Sequence, residues 1–155
     1  MGLDMYLHKK TLVQNYDHME ESEKNHVSVK GTESGHIVGA RVSEITEQVA
    51  YWRKANHIHA WFVENVQNGE DDCGEYYITE EDVKSLNKAC KEVLDDNSLA
   101  EKVLPTASGF FFGGIEYDEY YFESVLDTWN ITSDLIREME SWNSSRTILS
   151  YQASW

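Results

Sequence analysis

The 155-residue chain has a single proline, Pro105, only two cysteines and no apolar stretch approaching 18 residues. With 41% hydrophobic residues, the near absence of proline is typical of an ordered globular protein. The apolar stretches are too short for a membrane-spanning helix. The N-terminal residues lack the cationic and apolar regions of a secretory signal. We therefore expect a cytoplasmic protein.

The two cysteines exclude several classes of site. Cys73 and Cys90 are too few for a disulfide scaffold, and they form no CxxC motif with metal or redox spacing. His57 and His59 are two residues apart, and on a helix such side chains point in different directions, so they cannot easily hold one ion. The sequence predicts reduced thiols, no metal and no cofactor.

Basic residues are also scarce. The chain has 13 Lys and Arg against 28 Asp and Glu, a formal net charge of −15. This charge repels phosphate backbones and anionic membranes, so direct binding to nucleic acid or to a membrane is not expected. The acidity has two interpretations, a solubility feature or an imitation of DNA that occupies a basic groove of another protein.

The length fits one domain, and a chain of this size buries roughly 68–70% of its unfolded surface. Alternating apolar residues and turn signals predict four strands, at residues 3–13, 26–30, 75–78 and 147–155, with a turn at residues 31–35. We predict a single α+β domain over residues 1–155, with about three to four helices packed on a small antiparallel sheet.

Helical periodicity appears in several segments. Ser43 is a plausible N-cap for a long helix that continues to residue 67, and Thr79 begins a second helix with Cys90 on its apolar side. A short helical turn precedes Pro105. Further helices are predicted at residues 118–129 and 134–142, separated by an interruption at residues 130–133.

Two segments, residues 51–62 and 109–122, contain aromatic, cationic and imidazole side chains at unusually high density. Aromatic faces stack on flat ligands, while Arg, Asn and His supply directional hydrogen bonds. We expect the two segments to form two walls of one recognition site. The second contains three consecutive phenylalanines, residues 110–112, which form either a brief buried strand or a loop between glycines.

The predicted ligand-binding residues come from both segments. They are Trp52, Arg53, Asn56, His59, Trp61, Phe111, Tyr117 and Asp118. On a continuous helix Trp52, Asn56 and His59 share one side, with Arg53 positioned to donate to a phosphate or carboxylate. The alternative places Trp52 and His59 in the core, with Arg53 in solvent.

No catalytic signature stands out. Asp118 and Glu119 could act as general acid and base beside aromatic surface, although such residues more often open a helix. The acidic run at residues 70–72 would raise the pKa of Cys73 and disfavour a nucleophilic thiolate. We therefore predict a binding protein rather than an enzyme.

Several motifs are shared with known sequences. They are YWRKAN at 51–56, WFV at 61–63, GFFFG at 109–113, YDEYYF at 117–122 and YQASW at 151–155. With them the chain resembles a family of small proteins encoded by bacteriophages and prophage-bearing bacteria. His57 departs from the family pattern, in which a small residue is more usual, so the resemblance places more weight on His59.

The resemblance implies an accessory or anti-defence role inside a bacterial host cell. Together with the aromatic segments, it predicts a protein that sequesters a small, nucleotide-derived ligand. The first alternative is an acidic inhibitor that binds a host defence protein, and the second is an enzyme that degrades a nucleotide. A homo-oligomer is left open.

Overall fold

A computed structural model of the chain describes residues 2–27, 29–30, 36–37 and 42–155. Its strands are β1 (Asp4–Leu12), β2 (Val29–Lys30), β3 (His36–Ile37), β4 (Glu44–Arg53), β5 (Glu75–Ile78) and β6 (Thr147–Ser154). Four of them form an antiparallel sheet in the order β4-β1-β6-β5, while β2 and β3 pair separately. The predicted turn at residues 31–35 lies outside the described residues.

The described part of the chain contains four α-helices. They are α1 (Asn56–Asn65), α2 (Glu80–Asp95), α3 (Ala100–Val103) and α4 (Glu119–Met139). Helix α2 begins as predicted, because Thr79 and Asp82 form a complete capping box. No helix in the ranges listed above is long and apolar enough to cross a membrane. The prediction of a single α+β domain is confirmed.

The helices in the described part of the chain pack on the side of the sheet that carries its buried side chains. Strand β1 directs Met5 and Leu7 to this side, and the neighbouring strands contribute buried Trp52 and Tyr151. Phe62 of α1 stacks on Tyr151, with ring centroids 3.8 Å apart. The alternation of apolar and polar side chains on the central strands therefore creates one buried face and one polar face.

The predicted long helix over residues 43–67 is wrong in its first half, where the chain forms strand β4. Ala50 and Trp52 alternate into the core, and ladder pairing with β1 satisfies the backbone of this segment. Its β-branched and aromatic residues also favour a strand. Spacings of three and four residues therefore indicated a helix where tertiary pairing selected a strand.

The predicted interruption at residues 130–133 is also wrong, since α4 continues through it. Within the helix, the Thr132 hydroxyl donates to the Thr128 carbonyl at 2.8 Å and Ser133 donates to Trp129 at 2.7 Å. The Asn87 amide of α2 donates to both hydroxyl oxygens. These bonds satisfy polar groups that otherwise favour a break in a helix.

Candidate functional site

A cleft of about 260 Å³ lies where the start of α1, the start of α4 and the loop between α3 and α4 meet. We call residues 105–118 the aromatic loop and this opening the α1–α4 cleft. The cleft has ten lining residues: Lys54, Asn56, His57, Thr106, Gly113, Gly114, Glu116, Asp118, Tyr120 and Tyr121. The two segments predicted as walls of one site do converge here.

Lys54 forms the turn that connects β4 to α1. Its φ of 56° lies in the left-handed region, which costs a side-chain-bearing residue about 1 kcal/mol. The Lys54 N–H donates to the Leu3 carbonyl at 2.7 Å and so fixes the turn to the sheet. Gly113 approaches from the loop with a φ of 90°, and a Cβ atom there would lie 3.1 Å from Lys54 Cβ. The close approach therefore requires glycine at residue 113.

Asn56 joins the two segments. Its Nδ2 donates to the carbonyls of Phe112 at 3.1 Å and Gly114 at 2.8 Å, and its Oδ1 accepts from the Ala107 N–H at 3.0 Å. The side chain is buried and bonds to backbone on both arms of the aromatic loop. Asn56 consequently shapes the floor of the cleft through the loop, and most of its hydrogen-bonding capacity is used.

The first turn of α4 forms the opposite wall. Asp118 caps the helix by accepting from the Tyr121 N–H at 3.0 Å. The Tyr120 hydroxyl donates to the Arg53 carbonyl, and the Tyr121 hydroxyl donates to the Leu104 carbonyl at 2.8 Å. Burial raises the pKa of both tyrosines. They therefore act as neutral donors that hold the wall in place.

His57 is the buried histidine of the cleft. Its Nε2 lies 2.9 Å from Ser124 Oγ, and that hydroxyl is placed to donate to the Tyr121 carbonyl at 2.8 Å. Both bonds form together only if Nε2 carries the proton, which assigns Nδ1 as the acceptor. Burial lowers the pKa of His57 from 6.5 to about 3, so the ring is neutral at physiological pH.

The Nδ1 atom of His57 makes no hydrogen bond to any residue that the structure describes, and the ring lines the α1–α4 cleft. His57 also borders a smaller groove of about 210 Å³, lined by Trp61 and residues 103–105 among others. A neutral imidazole at this position offers a fixed lone pair to a donor that enters from the surface.

The His57 and Ser124 pair has the distance of a nucleophile and its base but lacks their chemistry. A histidine with a pKa of about 3 is a weak base at neutral pH. Its Nε2 proton is directed toward the serine oxygen, and Ser124 is buried behind the cleft wall. The arrangement is suited to recognition, while a hydrolytic role for the pair is disfavoured.

Two of the predicted binding residues lie in the core. Trp52 is 5% exposed and donates from Nε1 to Thr128 Oγ1 at 2.9 Å. His59 is 1% exposed, and its Nδ1 lies 2.7 Å from the Tyr151 hydroxyl. Neither borders the cleft, so the prediction that these rings form its floor is corrected. The alternative that placed both residues in the core fits the structure.

The remaining predicted residues divide between the cleft and its surroundings. Asn56 and Asp118 line the cleft, whereas the exposed Arg53 stands beside it at the end of β4. Trp61 lines the smaller groove on the other side of His57. Phe111 and Tyr117 belong to the aromatic loop but lie outside the set of lining residues.

The aromatic loop is irregular, which confirms the loop alternative for residues 110–112. The Phe111 carbonyl accepts from the Leu3 N–H at 3.0 Å, and the Tyr117 hydroxyl accepts from the Thr106 N–H at 3.3 Å. Phe110 is 96% exposed. Main-chain and tyrosine contacts thus hold the loop, while one phenylalanine ring points into solvent.

Eight of the ten lining residues, all except Asn56 and Asp118, were not among the predicted binding residues. Seven of the eight lie within the two segments and Thr106 lies three residues before the second, so their neighbourhood was predicted but not their orientation. Among the described residues, no group of three His, Cys, Asp or Glu side chains is arranged to hold a metal ion. No protein-family profile, curated protein or solved structure matches the chain.

Proposed function

We propose that the chain is a non-enzymatic accessory protein that sequesters a small, nucleotide-derived ligand in the α1–α4 cleft. The observation that carries this proposal is His57, a buried neutral imidazole with an unused acceptor beside an open cleft. Buried polar atoms are ordinarily paired, so an acceptor left free at an opening is suited to a ligand donor.

The charges at the mouth of the cleft favour the base of a nucleotide over a polyphosphate. Glu116 and Asp118 are exposed carboxylates that accept from amino and ring N–H groups, while Lys54 is the one cation among the lining residues. Several phosphates placed between these carboxylates would be repelled. One phosphate can lie at the outer edge, beside Lys54 and Arg53.

The size of the cleft limits the ligand further. Its volume of about 260 Å³ is slightly below the usual range for drug-sized ligands, roughly 300–1,000 Å³. A nucleoside or a mononucleotide is the largest unit that matches this volume. The exposed Tyr120 ring provides aromatic surface in the wall, and stacking contributes about 1–3 kcal/mol per base.

The biological setting of the proposal comes from the resemblance to small phage proteins. Removal of a nucleotide signal would blunt a host defence that depends on it. Plaque formation on a host with such a defence, with and without expression of this chain, tests that setting separately from binding.

Thermal shift and calorimetry with nucleosides, nucleoside monophosphates and cyclic dinucleotides test the binding itself. A ligand present at 100 times its Kd adds about 2.7 kcal/mol to the free energy of unfolding and should raise Tm by roughly 5–10 °C. We expect the shift for a nucleoside or monophosphate and a smaller one for cyclic dinucleotides. A panel that leaves Tm unchanged would overturn the proposal.

Substitutions at His57 locate the bound ligand. His57→Leu removes the acceptor and should weaken binding about 10- to 100-fold, whereas His57→Asn retains an acceptor near Nδ1 and should weaken it less. Phe110→Ala is the matched control, because it removes an exposed ring of the aromatic loop outside the cleft. If His57→Leu and Phe110→Ala lowered the binding affinity equally, the ligand would not bind at His57.

A second candidate function is an acidic inhibitor of a basic host protein, and helix α4 favours it. Lysines neutralise much of α2 through pairs such as Lys84 with Glu80 and Lys91 with Asp95. Helix α4 has one basic residue, Arg137, and repeatedly exposes carboxylates, namely Glu119, Glu123, Asp127, Asp134 and Glu138. A complex made through this surface should weaken steeply with salt, whereas ligand binding in the cleft should change little.

A further inference from the structure

Most hydrogen-bond donors on the side chains of the α1–α4 cleft are already used inside the protein. Four lining side chains donate to backbone carbonyls, namely the hydroxyls of Thr106, Tyr120 and Tyr121 and the amide of Asn56. The Nε2 proton of His57 is directed toward Ser124. Lys54 is therefore the one lining side chain with donors that meet no acceptor in the described part of the chain.

The hydrogen-bond acceptors of the cleft are used less completely. Glu116 Oε2 accepts from the Ile115 N–H at 3.0 Å, and Asp118 Oδ1 accepts from the Tyr121 N–H at 3.0 Å. The second oxygen of each carboxylate, Glu116 Oε1 and Asp118 Oδ2, accepts from no residue that the structure describes. His57 Nδ1 is a third acceptor of this kind, on a side chain that is only 3% exposed. The cleft thus offers three open acceptors to a ligand.

Tyr121 holds two of these acceptors near each other. Its backbone N–H donates to Asp118, and its ring lies against the ring of His57, with the two centroids 4.2 Å apart. Asp118 is the N-cap of α4, and His57 lies in the first turn of α1. Both acceptors are therefore positioned by the ends of packed helices, and acceptors held in this way are suited to directional recognition.

The Watson–Crick edge of guanine is the nucleobase edge that matches this set of acceptors. It carries three hydrogens side by side, one on N1 and two on the N2 amino group. The same edges of adenine and cytosine carry two hydrogens beside a ring nitrogen that accepts, and the edge of uracil carries one. A carboxylate accepts hydrogen bonds and donates none, so it attracts the adjacent donors of guanine and repels the ring lone pair of adenine or cytosine.

We infer that the α1–α4 cleft selects guanine among the nucleobases, with Asp118 accepting from N1–H and from one N2 hydrogen. Asp118 Oδ1 keeps a second lone pair, so both carboxylate oxygens can accept from the ligand. Glu116 and His57 offer acceptors for the other N2 hydrogen. The N–H groups of Gly113 and Gly114 meet no acceptor among the described residues and are available to the guanine O6. This inference rests on the proposed function, since it names the base of the proposed ligand.

Calorimetry with guanosine, inosine, adenosine and cytidine, and with their monophosphates, tests the selection. Guanosine should bind about 10-fold more tightly than inosine, which lacks only the N2 amino group, and about 10- to 100-fold more tightly than adenosine. Adenosine bound as tightly as guanosine would overturn the inference and leave the proposed function intact, whereas a panel in which nothing binds would overturn both. If spermidine bound as tightly as guanosine, the carboxylates would select positive charge rather than a base, and the inference would fail.

Asp118→Asn tests the assigned acceptor. Asparagine caps a helix as well as aspartate does, so α4 should begin unchanged while an amide donor replaces the open Oδ2 acceptor. Guanosine should bind the variant at least about 10-fold more weakly. Xanthosine, which has a carbonyl in place of the N2 amino group, should bind the variant more tightly than the parent chain, because the new donor meets that carbonyl.

Asp127→Asn is the matched control, because it makes the same change of charge at an exposed carboxylate of α4 that does not line the cleft. It should leave the affinities for guanosine and xanthosine unchanged, and circular dichroism verifies that both variants fold. If the ratio of guanosine to xanthosine affinity were the same in Asp118→Asn as in the parent chain, Asp118 would not read the base and the inference would be overturned.

Discussion

His57 and His59 are two residues apart on α1 and have different surroundings. His57 borders an opening and keeps one nitrogen free of protein partners among the residues described. His59 lies between Tyr151 and Asp71, and its ring is perpendicular to the ring of Phe112. Two steps along a helix turn a side chain through about 200°. The same residue type therefore borders an open cleft on one side of α1 and packs in the core on the other.

The largest expected effect is on stability and comes from replacing His59, the histidine that packs in the core. His59→Ala removes the partner of the Tyr151 hydroxyl, which is sealed in the core, and opens a cavity beside Phe112. We expect the free energy of unfolding to fall by about 3 kcal/mol. Urea denaturation measures this loss.

A double-mutant cycle with Tyr151→Phe separates the hydrogen bond from the cavity. Because both variants remove the same bond, their combined loss should be smaller than the sum of the single losses. A loss below about 1 kcal/mol for His59→Ala would contradict the assignment of His59 to the core.

The burial of His57 beside the cleft should make the free energy of unfolding depend on pH. The pKa of His57 falls from 6.5 in the unfolded chain to about 3 in the folded protein, so the unfolded state binds the proton first. Stability is therefore complete above pH 6.5 and declines as the pH falls toward 3. At pH 5.5 the expected loss is roughly 1.4 kcal/mol.

His57→Asn is the matched variant for this measurement, because it removes the titrating ring and keeps a polar side chain. The free energy of unfolding of both proteins is measured by urea denaturation at pH 7.5 and 5.5. The difference between the two proteins removes the contributions of all other titrating groups. The parent chain should lose roughly 1.4 kcal/mol more than the variant over this interval. Equal losses would show that His57 is solvated and outside the buried wall.

Local patterns in the sequence predicted much of the fold. The capping residues at Thr79, the apolar spacing around Cys90 and the alternation in β1 and β6 were sufficient because local preference and tertiary packing agree there. Strand β4 was missed because its apolar residues fit both periods, and pairing with β1 decided between them. Segments of this kind need long-range contacts for their assignment.

The candidate site was located by composition but not by orientation. The two aromatic segments meet as predicted, through the bonds of Asn56 to the aromatic loop. His57 borders the cleft and His59 does not, whereas the prediction preferred His59, both because of the resemblance and because the error at β4 placed Trp52 and His59 on one helical stripe. With α1 beginning at Asn56, the direction of each side chain depends on the turn at Lys54.

The smallest expected effect concerns that turn, which sets the orientation of both histidines. Lys54→Gly and Lys54→Ala both remove the ammonium group, but only glycine relieves the left-handed backbone. After the greater flexibility of glycine in the unfolded chain is subtracted, the Gly variant should be more stable than the Ala variant by roughly 0.5–1 kcal/mol. Both should bind a nucleoside as the parent does and a nucleoside monophosphate more weakly, because the proposed binding mode places the phosphate beside Lys54. If the two variants were equally stable, the backbone at Lys54 would not be strained and could not be what orients α1. If the affinity for the monophosphate were unchanged, Lys54 would not be part of the binding site.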